Sequence, residues 1–266
     1  MTFSLAILNR LSKEERDPLY LQLIPPSVFR IFQIDPKTLT NPSGERVVAG
    51  IFPPDENFAC VDVKYRPEDR DCIFSCQVSL ETFMRSLYLD FVTINDPFSE
   101  RFNVDRDELG RDTLFGTHSR NIPEEIRALD AGLAPGTVRR GLRLAGEFMA
   151  CLETFTQSLG LKAIGLRALY YHHAILWERC GFIYFRGMKM MEKIHGEFQP
   201  GGLLYRKLDG STLFRRGEME KTVRGRSWAL YDGTYSEVFG EDWEGPWMYK
   251  MIGKDLKMNT LPGQTY

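Results

Sequence analysis

No run of apolar residues in this chain approaches the ~20 needed to cross a bilayer as a helix. The opening residues, MTFSLAILNRLSKEERD, hold one short apolar run with no basic flank ahead of it, which makes a poor signal peptide. Neither sign of charge is in excess. With 34 Lys and Arg against 36 Asp and Glu, no global field draws the protein to nucleic acid or to a membrane. Cysteine is scarce and odd in number, with Cys60, Cys72, Cys76, Cys151 and Cys180 mostly inside apolar runs. That usage fits buried, reduced thiols and a cytoplasmic location better than a disulfide framework. Cys72 and Cys76 lie four apart on a predicted strand and so share a face. No second Cys or His pair completes a ligand set, and no metal is expected. Internal repeats, low-complexity tracts, a triad motif and an intact nucleotide-binding glycine loop are also missing.

What is present is enough apolar material, 43% of residues, for a substantial core in one large or two small domains. Ser4–Leu11 and Tyr20–Ile34 are apolar segments separated by SKEERD, and Pro25-Pro26 ahead of SVFRIFQI predicts a short helix with Pro at its start. Residues 46–52, 58–65, 72–80 and 86–95 are rich in β-branched and aromatic residues and read as an antiparallel meander. Residues 96–135 are charged and Pro-containing, with one short helix at 123–131. They read as an insertion over one end of the sheet.

The stretch from Gly136 to Phe182 organises the rest. Apolar positions 144, 145, 148, 149, 151, 152, 155 and 159 define one face of a helix that Gly160 closes. Leu161–Leu169 predicts a strand, Tyr171–Cys180 a helix closed by Gly181, and Phe182–Met191 another strand. The strand at 86–95, the helix closed by Gly160 and the strand at Leu161–Leu169, in that order, imply a right-handed crossover and a parallel pair. Asp209-Gly210 between Leu203–Leu208 and Ser211–Arg215 predicts a hairpin. Residues 235–266 are expected to wrap the body.

A helix start carries unpaired N–H groups and partial positive charge, so it welcomes an anion. Arg139 and Arg140 are placed where the first of these helices is predicted to begin, with Gly141, Leu142 and Arg143 following. Arginine forks pair with phosphate oxygens and glycine lets a ligand approach the backbone. The bland alternative is a set of solvated arginines paired with nearby acids.

The order of elements, and Ala174-Ile-Leu176-Trp177-Glu178-Arg179-Cys180-Gly181-Phe182, resemble the GNAT superfamily of acyl-CoA-dependent N-acyltransferases. In that family a Q/R-x-x-G-x-G/A loop before a helix cradles the CoA pyrophosphate, and a later helix carries a pattern like A-x-L-Y-E-K-x-G-F. The resemblance spans roughly 86–192. It implies an α/β (α+β) fold with a mixed, mostly antiparallel sheet, flanking helices and a C-terminal extension. The parts would be 1–85, a core at 86–192 with the insertion 96–135, and a hairpin and tail at 193–266, all in one structural domain. It also implies acyl-CoA as co-substrate, a small-molecule or peptide amine as acceptor, and residues 139–143 as the CoA loop. A homodimer is compatible with it. The sequence departs from the family at Val138 and Arg143, the first and last loop positions when the loop is aligned on Gly141. It departs again at Trp177, which stands where a Tyr protonates the departing thiolate. An indole N–H is too weak an acid for that step.

Asp90, mid-strand in an apolar run, is the candidate base, since burial would raise its pKa. Tyr171 and His172, at the start of the second helix, are the other catalytic candidates, one as phenol and one as proton shuttle. Each has a plainer reading: a solvent-facing Asp, a Tyr packed on the sheet and a capping His. Glu178 is given no role. Two rival functions stay open. One is a GNAT-fold protein that binds or scaffolds without catalysis. The other is nucleic-acid association through Arg215, Arg216, Lys221, Arg224 and Arg226 with Phe214 and Trp228.

Overall fold

A computed structural model describes residues 4–81, 85–116, 118–254 and 256–262; the last four residues of the predicted tail lie outside the described residues. Three short helices open the chain, α1 (Leu5–Asn9), α2 (Lys13–Leu21) and α3 (Pro26–Ile31). Ser12 and Glu15 form a capping box that starts α2, and Pro26, with no N–H to strand, starts α3. The meander follows as β1 (Val48–Ile51), β2 (Phe58–Val63), β3 (Phe74–Glu81) and β4 (Ser86–Ile94). Then come α4 (Ile122–Asp130), α5 (Ala145–Ser158), β5 (Ala163–Arg167), α6 (Tyr171–Arg179) and β6 (Ile183–Arg186). The chain ends through α7 (Met188–Glu197), α8 (Leu203–Arg206), α9 (Val223–Ala229), α10 (Tyr235–Phe239) and β7 (Trp247–Met251). The strands form one open sheet in the order β1-β2-β3-β4-β5-β7-β6. β1 to β4 are antiparallel and β5 runs parallel to β4, so the chain has the mixed, mostly antiparallel sheet with flanking helices that its sequence predicts.

The chain divides into two compact units. The first holds residues 1–99, 141–166 and 249–255, and the second holds 100–140, 167–248 and 256–262 among the described residues. Both are discontinuous and cross the boundaries drawn from sequence at 85/86 and 192/193.

In the first unit α5 buries Phe148, Met149, Leu152 and Phe155, the helical face read from its spacing. Phe148 packs against Phe74 of β3, with ring centroids 5.8 Å apart. The Asn9 side-chain amide ties the N-terminal helices to the β1–β2 connection, beside Arg10, which donates to the Pro54 carbonyl and pairs with Asp55. Asn9 Nδ2 donates to the carbonyls of Pro53 (2.8 Å), Glu56 (3.2 Å) and Phe58 (2.9 Å), while its Oδ1 accepts from the Tyr20 hydroxyl. The Tyr20 ring in turn stacks on Phe52 at 4.4 Å.

In the second unit residues 100–135 of the predicted insertion are more than an irregular connection. Phe102, Val104, Ala128 and Leu133 form a core with Phe214 and Trp228, and the Trp228 indole donates to the Leu133 carbonyl at 2.8 Å. Beside that core lies a polar network. Arg120 bridges the buried carboxylate of Glu125 (2.5 Å) and Asp232 (3.1 Å), Arg215 pairs with Asp232 (2.9 Å) and Glu237 (2.7 Å), and the Tyr231 hydroxyl donates to Glu125.

Two predicted elements are corrected. The strand expected over Phe182–Met191 stops at Arg186. Gly187, at φ 104°, turns the chain into α7, whose Met191 and Ile194 are buried at helical spacing. A Cβ at Gly187 would come within 2.8 Å of Pro246, so only glycine makes that turn without strain. The hairpin at Asp209-Gly210 keeps its turn, with Gly210 at φ 74° and Asp209 accepting from the Ser211 amide. Its arms are α8 and a 3₁₀ turn at Leu213–Arg215, because Leu204 and Phe214 are buried from helical backbone. Cys72 also precedes β3 rather than sharing a strand with Cys76.

Replacing Asn9 by Ala strands three carbonyls and a phenol, at about 1–3 kcal/mol for each buried polar group left unpaired and partly recovered by water. The expected loss is about 3 kcal/mol in the unfolding free energy, read as a lower urea midpoint with unchanged slope. A loss below about 0.5 kcal/mol would show that this amide does not hold the helices.

Candidate functional site

In the first unit β4 pairs with β3 from end to end. Against β5 it pairs only at Leu87–Ile164 and Tyr88–Gly165, and the parallel ladder then ends although β4 continues to Ile94. The register against β3 slips at the same place. Gln77 faces Phe91 and Val78 faces Leu89, which leaves Asp90 as the extra residue of a β-bulge. A bulge bends its strand, increases its twist and re-aims the residue it inserts. Gly165 fits closely under Tyr88, whose ring would lie 3.2 Å from an added Cβ.

Asp90 is an exposed residue, as its plainer reading expected, but its carboxyl is flanked by enough protein to be partly desolvated. That raises its pKa above the usual carboxylate value, and a hydrogen bond from Ser79 partly offsets the rise.

The far end of β4 meets the loop that leads into α5. The Asn95 amide donates to the Ile73 carbonyl and its side chain to the Cys72 carbonyl, and Asn95 bridges to Gly141. A Cβ on Gly141 would stand 3.1 Å from the Ile94 carbonyl, so its bareness serves the approach of loop to strand. Leu142 is half-buried beside it, and Arg143 is exposed and held at φ 60°. Leu144, the N-cap of α5, supplies no side-chain acceptor to the first turn. Glu147, the acid of that turn, instead accepts from the Ser27 amide at 2.8 Å and so caps α3. Gly146 is exposed with open space about it.

The helix therefore begins at Ala145, later than expected. Arg139 and Arg140 stand upstream of the helix start rather than in it, and both belong to the second unit, where Arg140 donates to the Ala131 carbonyl. Among the predicted loop residues, Gly141, Leu142 and Arg143 accompany Asp90 in the first unit.

Tyr171 and His172 lie in the second unit and are both buried. Burial pushes the Tyr171 phenol up to about 12, partly opposed by its hydrogen bond with Arg226. His172 Nδ1 lies 2.9 Å from the Ser227 hydroxyl. Burial, helped by His173 and Arg224, holds the His172 pKa well below the ordinary imidazole value, and burial lowers His173 to about 4. His172 is thus an enclosed, neutral imidazole at physiological pH, hydrogen-bonded to Ser227.

Trp177 is buried against Phe182. Glu178, given no role from sequence, is buried too. It accepts from the Tyr184 hydroxyl and from the Thr260 amide (3.0 Å) and hydroxyl, tying α6 to β6 and to the tail. The signal was there: Tyr171, Ala174, Ile175 and Glu178 share one helical face.

The basic run at 215–226 is not an open stacking surface. Phe214 and Trp228 are core, Arg215 is ion-paired, Arg224 donates to the Gly132 carbonyl and Arg226 is 1% exposed. No helix among the described residues is long and apolar enough to cross a membrane. No cluster of three or more His, Cys, Asp or Glu among them could hold a metal ion. Comparison with protein-family models, curated proteins and solved structures finds no match to this chain.

His172 and His173, both depressed by burial, set an acid limit on stability. Their imidazoles stay neutral in the fold, while the unfolded chain takes up protons near pH 6.5. Their contribution is complete above that value and is lost as pH falls from about 6.5 toward the folded pKa, about 4 for His173. Each histidine adds a slope of up to about 1.4 kcal/mol per pH unit. Urea melts from pH 7 to 5 are expected to show this slope, and His172→Gln to lose up to about 1.4 kcal/mol per pH unit of it. An unchanged slope in the variant would mean that His172 titrates normally.

Proposed function

We propose that the chain is a GNAT-like N-acyltransferase whose acyl-CoA binds along β4 past its pairing with β5, with the start of α5 receiving the pyrophosphate. The observation that carries this reading is the β4–β5 pair, hydrogen-bonded at two positions and then open, beside a helix whose N-cap offers no side-chain acceptor. An extended pantetheine arm can run along a strand as a peptide does, its amides meeting backbone N–H and C=O groups. At ~3.3 Å per residue the Asp90 bulge stands ~16 Å along β4 from the Asn95–Gly141 bridge, a separation of the order that such an arm spans.

In the reaction the acceptor amine attacks the thioester carbonyl carbon. A C–N bond forms, the C–S bond breaks, and the proton of the amine passes to Asp90, which its raised pKa makes a stronger base than an ordinary carboxylate. Backbone N–H groups of the site polarise the carbonyl. The thiolate leaves without the family's phenol, since a thiol of pKa about 8.5 is a competent leaving group, and it takes its proton from solvent. Trp177 is then no obstacle. Arg143, exposed at the helix start, supplies charge to the pyrophosphate.

Acetyl-CoA and longer acyl-CoAs are expected to stabilise the protein, by about 2.7 kcal/mol at a hundredfold excess over Kd. Thiol release with a panel of amines should then identify the acceptor class. Asp90→Asn is expected to lower kcat about a hundredfold with the thermal shift retained, and Arg143→Ala to weaken the shift about fivefold in Kd, worth about 1 kcal/mol. No stabilisation at millimolar acyl-CoA would overturn the proposal. Binding without thiol release would favour a non-catalytic acyl-CoA binder, the reading to which the buried Trp177 and Tyr171 lend weight.

A further inference from the structure

We infer that His195 and Arg226 form an acid-sensitive latch that holds α7 against α9 in the second unit. Arg226 is 1% exposed, yet its side chain reaches three elements besides its own. Its Nε donates to the Glu220 carbonyl at 2.6 Å, it hydrogen-bonds the Tyr171 phenol at the start of α6, and its guanidinium lies 5.1 Å from the centre of the Phe198 ring, just past α7. Its Nη1 stands 3.1 Å from His195 Nδ1 on the last turn of α7.

A guanidinium carries only donors, so His195 Nδ1 must be the acceptor and its proton must sit on Nε2. This works only while the imidazole is neutral. Protonation at Nδ1 removes the acceptor and sets a second cation against a buried one. His195 is only half-buried, so solvent protons reach it, unlike His172. A second acceptor belongs to a residue that Arg226 already touches. Glu220, whose carbonyl already takes the Nε proton, has a buried carboxylate oxygen, Oε2, with no hydrogen-bond partner among the described residues. The latch therefore has two positions, Arg226 on His195 at neutral pH and Arg226 drawn to the Glu220 carboxylate in acid.

The charges around the pair fit this assignment. Arg226 is the charge that acts on His195, and it holds the imidazole pKa down together with burial. On α7, Glu192 and Lys193 are exposed and Lys193 lies over the Phe239 ring. Glu197 accepts from the Leu203 amide. On α8, Arg206 donates to the Gly201 carbonyl. Lys221, beside Glu220, pairs with Glu218, and Arg224 of α9 donates to the Gly132 carbonyl. The Tyr171 phenol, raised by burial, stays protonated throughout.

The test compares amide hydrogen-exchange protection of Met188–Glu197 and Val223–Ala229 in the wild type and in His195→Gln from pH 7 to 5. Glutamine keeps an acceptor for Arg226 and does not titrate. In the wild type, protection of these two helices is expected to fall, relative to the variant, by up to about tenfold per pH unit as pH drops from about 6.5, the free imidazole value, toward the lowered value in the fold. Loss of protection due to His172 and His173 is common to both proteins and cancels. Nitrogen-15 spectra of the wild-type histidines are expected to show His195 at pH 7.5 with its proton on Nε2, and to titrate below 6.5. Equal acid loosening in both proteins, or a proton on Nδ1 at neutral pH, would overturn the latch. Should the variant not fold, the wild-type spectra decide alone.

Discussion

β4 cannot satisfy both of its neighbours. It is locked to β3 over its full length and to β5 at two positions. The bulge at Asp90 adds a residue where the second ladder ends, and the extra twist of a bulged strand turns it off the line of β5. Much in the first unit follows from that constraint. Gly165 must be bare for Tyr88 to lie across it, and Gly141 must be bare for the incoming loop to reach the end of β4. α5 then starts at the mouth of the opening, with its acid, Glu147, committed to the Ser27 amide. A strand that continues past its pairing with β5 and a bare helix start in one unit are what the proposed acyl-CoA site needs.

The second unit is organised by buried charge. Arg120, Glu125, Asp232, Arg215 and Glu237 link the 100–140 segment to residues more than eighty positions later. Arg226 reaches α6, α7 and the turn carrying Glu220. Removing one partner from such a set leaves an uncompensated buried charge, so the network specifies one arrangement of short helices that have little intrinsic stability. Two of the residues singled out as catalytic, Tyr171 and His172, belong to this framework. The polarity that made them candidates is used for internal hydrogen bonds.

The legible parts were those set by period and punctuation. The apolar face of α5, the β-rich runs of the meander, Pro26 at a helix start and the glycine after α6 all lie where the pattern put them. What misled was local chemistry without its context. Asp209-Gly210 does make a tight turn, but the flanking segments are helical because Leu204 and Phe214 find cores from that backbone. Arg215, Arg224 and Arg226 looked like a basic surface because their acceptors lie far away in sequence or on the backbone. Asp90 was legible as an oddity mid-strand, yet its bulge was not, since a bulge is a relation between two strands and not a property of one.

The sequence by itself determined the order of the central helices and strands, the antiparallel meander and the parallel crossover, because those depend on periodicities of 3.6 and 2 and on the handedness of the chain. Tertiary structure alone decided where the β4–β5 ladder stops, that α5 begins after Arg143, and which polar residues are enclosed. The physical reason is the same in each case. A hydrogen bond or a buried charge is settled by which distant partner arrives, and no local pattern encodes that arrival.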